Sequence, residues 1–298
     1  MDILELSNVK KSFGSREVLK DLSFCVPEHT IFGFVGQNGA GKTTCMKIIL
    51  GLLSKDDGTV KVNGETVHYG QTNTNRYIGY LPDVPEFYNF MTPSEYLMFC
   101  GDILCMDKKS ALSKSEELLS LVGLSNEKSR IKGFSRGMKQ RLGIAQALLG
   151  EPMLLICDEP TSALDPVGRK EILDILVSAK KYTTVLFSTH ILSDVERICD
   201  EIAFLHNGYI VKSGSVENIK QNRKCNSFEL ELESPQDAYL LTQAFPTAEL
   251  INGCHLLFQS GDKIENVMKL LIEQNISFTR LEKCEPTLES VFMEVIGK

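Results

Sequence analysis

The run Gly36-Gln37-Asn38-Gly39-Ala40-Gly41-Lys42-Thr43 constrains this chain more than any other feature, because it satisfies the spacing G-x-x-x-x-G-K-[ST] at every fixed position. Glycines at these places let successive backbone N–H groups curl around phosphate oxygens. Lys42 adds a point charge near the outer phosphates, the Thr43 hydroxyl can ligate Mg²⁺, and Gln37, Asn38, Ala40 and Thr44 complete the cradle. A strand should lead in and a helix lead out. Ile31-Phe32-Gly33-Phe34-Val35 is the short run of a buried strand, and Lys42 to Leu50 reads as a helix with phosphate at its positive N-terminus. A plain glycine turn is the competing interpretation, and the patterns on both sides weigh against it. The chain is expected to hold a nucleotide.

A second cluster narrows the chemistry. Met153-Leu154-Leu155-Ile156-Cys157 is an apolar run ending in Asp158-Glu159-Pro160, the way a core strand delivers carboxylates to the edge of a sheet. Asp158 can hold Mg²⁺ directly or through water, while Glu159 can orient and polarise water attacking the γ-phosphate. Upstream lies Phe134-Ser135-Arg136-Gly137-Met138-Lys139-Gln140-Arg141; downstream come Ser162-Ala163-Leu164-Asp165 and Ser188-Thr189-His190. In their order these five elements resemble the nucleotide-binding subunit of ATP-binding cassette (ABC) transporters.

That resemblance implies a head-to-tail pair of cassettes, in which the phosphate loop of one and the signature loop of the other enclose each ATP. It implies that Ser135 and the Gly137 amide touch the γ-phosphate held by the partner, at the start of a helix Met138 to Leu149 ended by Gly150 and Pro152. It further implies that Ser162 to Asp165 report across the dimer and that His190 contacts the γ-phosphate. Asp165 before Pro166 is equally an N-cap, and both roles can hold at once. Phe13, in Lys11-Ser12-Phe13-Gly14, occupies the place of the aromatic that stacks on adenine; its alternative is a core side chain.

Two departures from the family pattern stand out. Where the family has Leu-Ser-Gly-Gly-Gln, this chain has Arg136 at the first of those glycines and Met138 at the glutamine; a basic residue there resembles exporters of the drug, bacteriocin and lipid type. After Tyr77-Ile78-Gly79-Tyr80-Leu81-Pro82, where most members present a glutamine to Mg²⁺ and the attacking water, this chain has Asp83. A carboxylate remains a good Mg²⁺ ligand but brings another negative charge toward the triphosphate. Asp83 as the cap of a turn after Pro82 is the alternative.

The rest of the chain organises around this core. Ile3 to Val9, Asp21 to Val26 and Thr59 to Val67 are β-rich, with Asn63-Gly64 as a hairpin signal, and form an antiparallel layer. Thr92-Pro93-Ser94-Glu95 starts a helix by N-cap, N1 proline and glutamate at N3. Helical patterns continue through Ser110 to Val122. This inserted region, Met91 to about Gly133, is where the family docks on its membrane partner. Strand and helix then alternate over Met153 to Cys157, Val167 to Ala179, Thr183 to Ser188 and Ser193 to Cys199, and Glu201 to Ser213 reads as a hairpin across Asn207-Gly208. Asn222 to Asn226 reads as a linker. Beyond it Ser227 to Glu233, Pro235 to Phe245, Ala248 to Asn252, His255 to Gln259, Asp262 to Gln274 and Ser277 to Lys283 give the order β-α-β-β-α-β. The final stretch, Pro286 to Ile296, has helical apolar spacing, which marks a core face more often than a partner surface.

The expected fold is α/β: a P-loop NTPase core with an antiparallel β layer and an inserted helical subdomain at about 91–150, spanning 1–221, plus a small α+β ferredoxin-like module over 225–298. A net charge of -7 disfavours a broad nucleic-acid surface. Nine cysteines with no C-x-x-C pair, mostly within apolar stretches, suggest buried free thiols in a reducing compartment. No signal peptide and no spanning segment is evident. The resemblance implies the ATP-hydrolysing subunit of an exporter of a drug, antibiotic peptide or lipid-like cargo. Its cofactors would be ATP and Mg²⁺, its partners a separate membrane permease and a second ATPase subunit, and its place the inner face of the cell membrane. A soluble cassette acting on ribosomes or DNA would normally carry two cassettes or a long coiled-coil insert. A kinase or GTPase would lack the signature, Ser162 to Asp165 and His190 in this order.

Overall fold

The computed structural model describes residues 2–71, 73–221, 228–258, 262–283 and 287–296. Two compact units result: Met1–Glu217 together with the stretch from Phe292 onward, and Asn218–Val291. The 222–226 linker, Cys225, Cys284, Gln259 and Pro286 lie outside the described residues. The partition groups Phe292 with the larger unit, where its ring packs against Phe204, centroids 5.2 Å apart.

In the larger unit, β1 (Asp2–Phe13) and β2 (Arg16–Pro27) pair antiparallel and run four residues beyond the expected Val9 on β1. β3 (Ile31–Gly36) is buried at every residue and leads into α1 (Lys42–Ile49). β4 (Asp57–Val62) and β5 (Glu65–Thr66) form the hairpin across Asn63-Gly64, both residues at positive φ as a type I′ turn requires. These strands make one antiparallel sheet in the order β2-β1-β4-β5. After β6 (Ile78–Leu81) come α2 (Pro93–Ile103), which starts on the expected capping box at Thr92 and Glu95, and α3 (Lys108–Leu121). α3 begins two residues before the expected Ser110 because the Asp107 carboxylate accepts from the Lys109 and Ser110 amides. α4 (Arg136–Leu148) likewise begins two residues early, since Ser135 Oγ accepts from Met138 N at 3.2 Å.

β7 (Leu154–Asp158), α5 (Pro166–Ala179), β8 (Thr184–Thr189), α6 (Leu192–Ile198), β9 (Glu201–His206) and β10 (Tyr209–Ser215) complete the unit. The main sheet runs β10-β9-β3-β8-β7-β6, parallel except for the β9–β10 hairpin. Its central strands β3, β7 and β8 are buried throughout because both faces are covered. Asp158 of β7 lies level with Ser188 of β8, and Val35 of β3 with Thr189, so three strands end at one edge of the sheet. That carboxyl edge is where α/β sheets place their ligands. At Gly79 a Cβ would stand 2.1 Å from the Ala147 carbonyl, so the glycine lets α4 lie directly on β6.

α7 (Val216–Gln221) ends the segment before the linker. The smaller unit consists of β11 (Phe228–Leu232), α8 (Pro235–Ala244), β12 (Glu249–Asn252), β13 (His255–Phe258), α9 (Ile264–Glu273) and β14 (Phe278–Lys283). Its sheet order β12-β13-β11-β14, antiparallel throughout, is the ferredoxin-like arrangement. Phe228, Leu230 and Leu232 alternate inward from β11 against Leu241 and Leu271. In α10 (Leu288–Ile296), Leu288 and Val291 are buried, as the apolar spacing predicts for a core face.

The cysteines require a correction. Cys45, Cys100 and Cys157 are buried, but Cys25 and Cys105 are exposed, because Cys25 points outward from alternating β2 and Cys105 sits in the turn after α2 at φ 57°. Burial pushes the Cys45 and Cys157 thiols well above their ordinary range. Iodoacetamide should therefore alkylate Cys25 and Cys105 of the folded chain and reach Cys45 and Cys157 only after denaturation. Peptide mass mapping reads this, and native-rate labelling of Cys157 would contradict its burial.

Candidate active site

The phosphate loop closes β3 onto α1 with Gly39 at φ 80° and Gly41 at φ 113°. At Gly41 a side chain is excluded twice over: by backbone conformation, and because a Cβ would lie 2.8 Å from Leu19 Cδ2. Lys42 folds back along the loop, its Nζ donating to the Gly36 carbonyl at 2.6 Å and the Gln37 carbonyl at 3.2 Å. The same ammonium lies 3.1 Å from Glu159 Oε1. Thr43 Oγ1 donates to Asp158 Oδ2 at 2.8 Å, across 115 residues of sequence.

Asp158 is almost fully buried and its second oxygen is also engaged, accepting from Ser188 Oγ at 2.6 Å. Ser188 Oγ in turn accepts from Glu159 N at 3.0 Å. Glu159 adopts φ 49°, a left-handed conformation costing about 1–2 kcal/mol, which turns the chain at the strand end. Its carboxylate is held at both oxygens, by Lys42 at Oε1 and by the N–H of His190 Nδ1, 2.9 Å from Oε2. A carboxylate can only accept, so Nδ1 carries the proton in this contact.

Lys42, Thr43, Glu159 and His190 line one cleft of about 480 Å³ with Arg16, Asn38, Gly39, Gly41, Thr44, Asp83 and Ser162, and Asp158 joins it through its bond from Thr43. The structure thus brings together Lys42, Thr43, Asp83, Asp158, Glu159 and His190. Gln37 and Ala40 line an adjoining cavity with Arg16 and Lys20. Ser135 and Gly137 do not line the cleft of their own chain; Ser135 caps α4 at its surface. Phe13 is 50% exposed rather than core, and stands opposite Arg16 with Lys11 Nζ 5.5 Å from its ring centroid. Asp165 caps α5, accepting from Gly168 N at 3.0 Å.

Asp83 differs from a simple turn cap. Its side chain pairs with Arg136, Oδ1 to the guanidinium at 3.0 Å, and its carbonyl accepts from Gln140 Nε2 at 2.6 Å. Sequence inspection missed Gln140 and Ser188 as participants. Ser188 could have been found from its place one residue before Thr189-His190, level with Asp158; Gln140 carries no such signal. A buried Asp194 that accepts from Thr161 Oγ1 and Arg169 Nε was also missed; it ties the turn after Glu159 to the helix after His190.

Chemically, two clustered carboxylates, a hydroxyl and a lysine at a backbone cradle suit a nucleoside triphosphate. The Thr43 hydroxyl and Asp158 carboxylate are hard oxygen donors side by side, a set that fits Mg²⁺, which takes one or two protein ligands and completes its shell with phosphate and water.

A family model described as ABC transporter matches residues 19–162. The chain is 39% identical to an uncharacterized ABC transporter ATP-binding protein, YxlF, of Bacillus subtilis, over 99% of both chains. It is 34% identical to the bacitracin transport ATP-binding protein BcrA of Bacillus licheniformis, over 99% of this chain and 97% of that one. It is 30% identical to the linearmycin resistance ATP-binding protein LnrL of B. subtilis, over 99% of both. Among solved structures, an ATP-binding subunit of an ABC transporter matches with a TM-score of 0.65 at 32% identity, over 74% of this chain and 92% of that one.

Proposed function

The chain belongs to the ATP-binding subunits of ABC transporters and hydrolyses ATP, and we propose that this hydrolysis drives export of an antibiotic peptide, drug or lipid-like cargo through a separate membrane permease. The observation that carries the catalytic part is the convergence of Lys42 and His190 on the two oxygens of Glu159. Phosphate oxygens entering the loop compete for both donors. Once Lys42 and His190 turn to phosphate, the Glu159 carboxylate is free to accept a proton from water beside the γ-phosphate. Thr43, Asp158 and Asp83 would hold Mg²⁺, which when bound neutralises charge on the phosphates. Ser188 fixes Asp158 and the Glu159 backbone together, so the metal-binding and water-orienting carboxylates keep one spacing. Ser135 and Gly137, outside their own cleft, are left for the nucleotide of a second copy.

Export is favoured by the names of two relatives, bacitracin transport and linearmycin resistance. Among the described residues no helix is long and apolar enough to cross a membrane; in the proposed function the pathway belongs to a partner and the chain works at the inner membrane face. The permease dock is assigned to the helical subdomain. There a cleft of about 950 Å³ opens between β6, the α2–α3 turn, α3 and the end of α4, with Leu104 in its lining and half exposed. Co-reconstitution with a candidate permease tests the proposal: bacitracin or linearmycin should move across vesicles only with hydrolysable ATP. Movement that persists with Glu159→Gln would refute it.

The dock has its own expected result. Leu104→Asp should at least tenfold weaken co-purification with that permease, because a charge replaces an apolar contact in the lining. Unchanged co-purification, with an unchanged melting temperature, would move the dock elsewhere.

A further inference from the structure

Both departures of this chain from the family pattern, Arg136 in the signature loop and Asp83 in the loop after β6, meet in one contact of 3.0 Å. They are 53 residues apart in sequence. Asp83 stands on the wall between two clefts. On one side it lines the phosphate cleft with Thr43, Glu159 and His190; on the other it lines a groove of about 590 Å³ with Pro85, Phe87, Phe134 and Arg136. Its backbone and side chain are held differently. The carbonyl is fixed by Gln140, whose side chain is fully buried in α4, whereas the carboxylate is held, among the described residues, by a pair whose members are 47% and 41% exposed. Arg136 and Gln140 are one helical turn apart, so they reach the same loop from one face of α4. The anchor is rigid and the ion pair is weak and water-accessible, the condition under which another anion can displace one partner.

We propose that Asp83 and Arg136 form an exchangeable ion pair linking the two nucleotide sites of the dimer: phosphates held by the partner subunit and arriving at Ser135–Gly137 draw Arg136 from Asp83 and free its carboxylate to turn into its own phosphate cleft. The proposal rests on the paired-subunit arrangement given under Proposed function. Arg136 lies between Ser135 and Gly137, so a phosphate that reaches those two groups is within reach of the guanidinium, which binds phosphate oxygens in the same forked geometry as carboxylate. Until then Arg136 neutralises Asp83, which removes the repulsion a lone carboxylate would exert on ATP entering the cleft.

The test is a double-mutant cycle in the Glu159→Gln full chain, with Asp83→Asn, Arg136→Gln and both together, reading by light scattering the ATP concentration at half-dimerisation in Mg²⁺. Asp83→Asn should lower that midpoint about three- to fivefold more when Arg136 is present than when it is glutamine, because the freed guanidinium no longer has a competitor. The direct repulsion between Asp83 and the triphosphate is common to both backgrounds and cancels in the cycle. Arg136→Lys should keep part of the coupling, and melting temperatures without nucleotide should stay within a few degrees, since both side chains are exposed. Effects that simply multiply, with dimerisation intact, would overturn the exchange alone. A Glu159→Gln chain that stays monomeric at saturating ATP would overturn the paired-subunit arrangement and the exchange with it.

Discussion

Replacing Glu159 by glutamine should reduce ATP turnover at least about a hundredfold while leaving nucleotide affinity within a few fold of the starting chain. The amide is nearly isosteric: its oxygen can keep Lys42, 3.1 Å from Oε1, while its NH2 donates to His190 Nδ1, 2.9 Å from Oε2, once the imidazole takes the other neutral tautomer, so the cleft keeps its shape. What is lost is the capacity to take a proton from water. A hundredfold loss corresponds to about 2.7 kcal/mol of transition-state stabilisation. Binding resides elsewhere, in the glycine-rich loop and Lys42, which explains why affinity should hold. Glutamine also loses charge attraction to Lys42, which frees the ammonium for phosphate and works toward tighter binding. Steady-state phosphate release and equilibrium binding of a fluorescent ATP analogue separate the two quantities. Retention of more than about a tenth of the original turnover would remove Glu159 from the proton-accepting role.

The parts of the site that depend on contiguous residues were legible before the fold. The phosphate loop is a local motif whose backbone geometry is dictated by its own glycines, and the Asp158-Glu159 pair is announced by the apolar strand before it. Asp165 as an N-cap is equally local and is found as expected. The parallel order of the main sheet and the βαββαβ unit followed from alternating patterns, with helix starts misplaced by two residues where Asp107 and Ser135 supply caps just ahead of weakly periodic turns. What could not be read were contacts closed by tertiary structure. Asp83 and Arg136 each look like an isolated oddity in sequence; only the packing of α4 on β6 through Gly79 places them 3.0 Å apart. Ser188 was hidden in a buried strand, where a hydroxyl carries no periodic signal, and its function depends on lying level with Asp158 one strand away. The exposed Cys25 was misjudged because an apolar stretch in an antiparallel strand still turns every second residue to the other face.

Ser135→Asp should leave the folded chain as stable as before and yet abolish ATP-driven pairing, raising the ATP requirement for dimerisation at least about tenfold. Ser135 has two separable tasks. Its Oγ caps α4 by accepting from Met138 N, a contact worth about 1 kcal/mol, and in the proposed dimer the same hydroxyl meets a γ-phosphate held by the partner. Alanine would remove both tasks at once and leave the cause of any defect ambiguous. Aspartate is as good an N-cap as serine and is favoured at a helix N-terminus by the dipole, so the helix should be preserved. Toward phosphate, however, it substitutes a like charge for a donor, in a closed interface where water screens poorly. Arg136 beside it can offset only part of that repulsion, because Asp83 already competes for its guanidinium. Calorimetric melting without nucleotide and light scattering with ATP, both in the Glu159→Gln background, give the two readouts. An unchanged melting temperature with lost dimerisation assigns Ser135 to the interface between subunits. A lowered melting temperature with dimerisation intact would reduce Ser135 to a helix cap and leave the composite site without its donor.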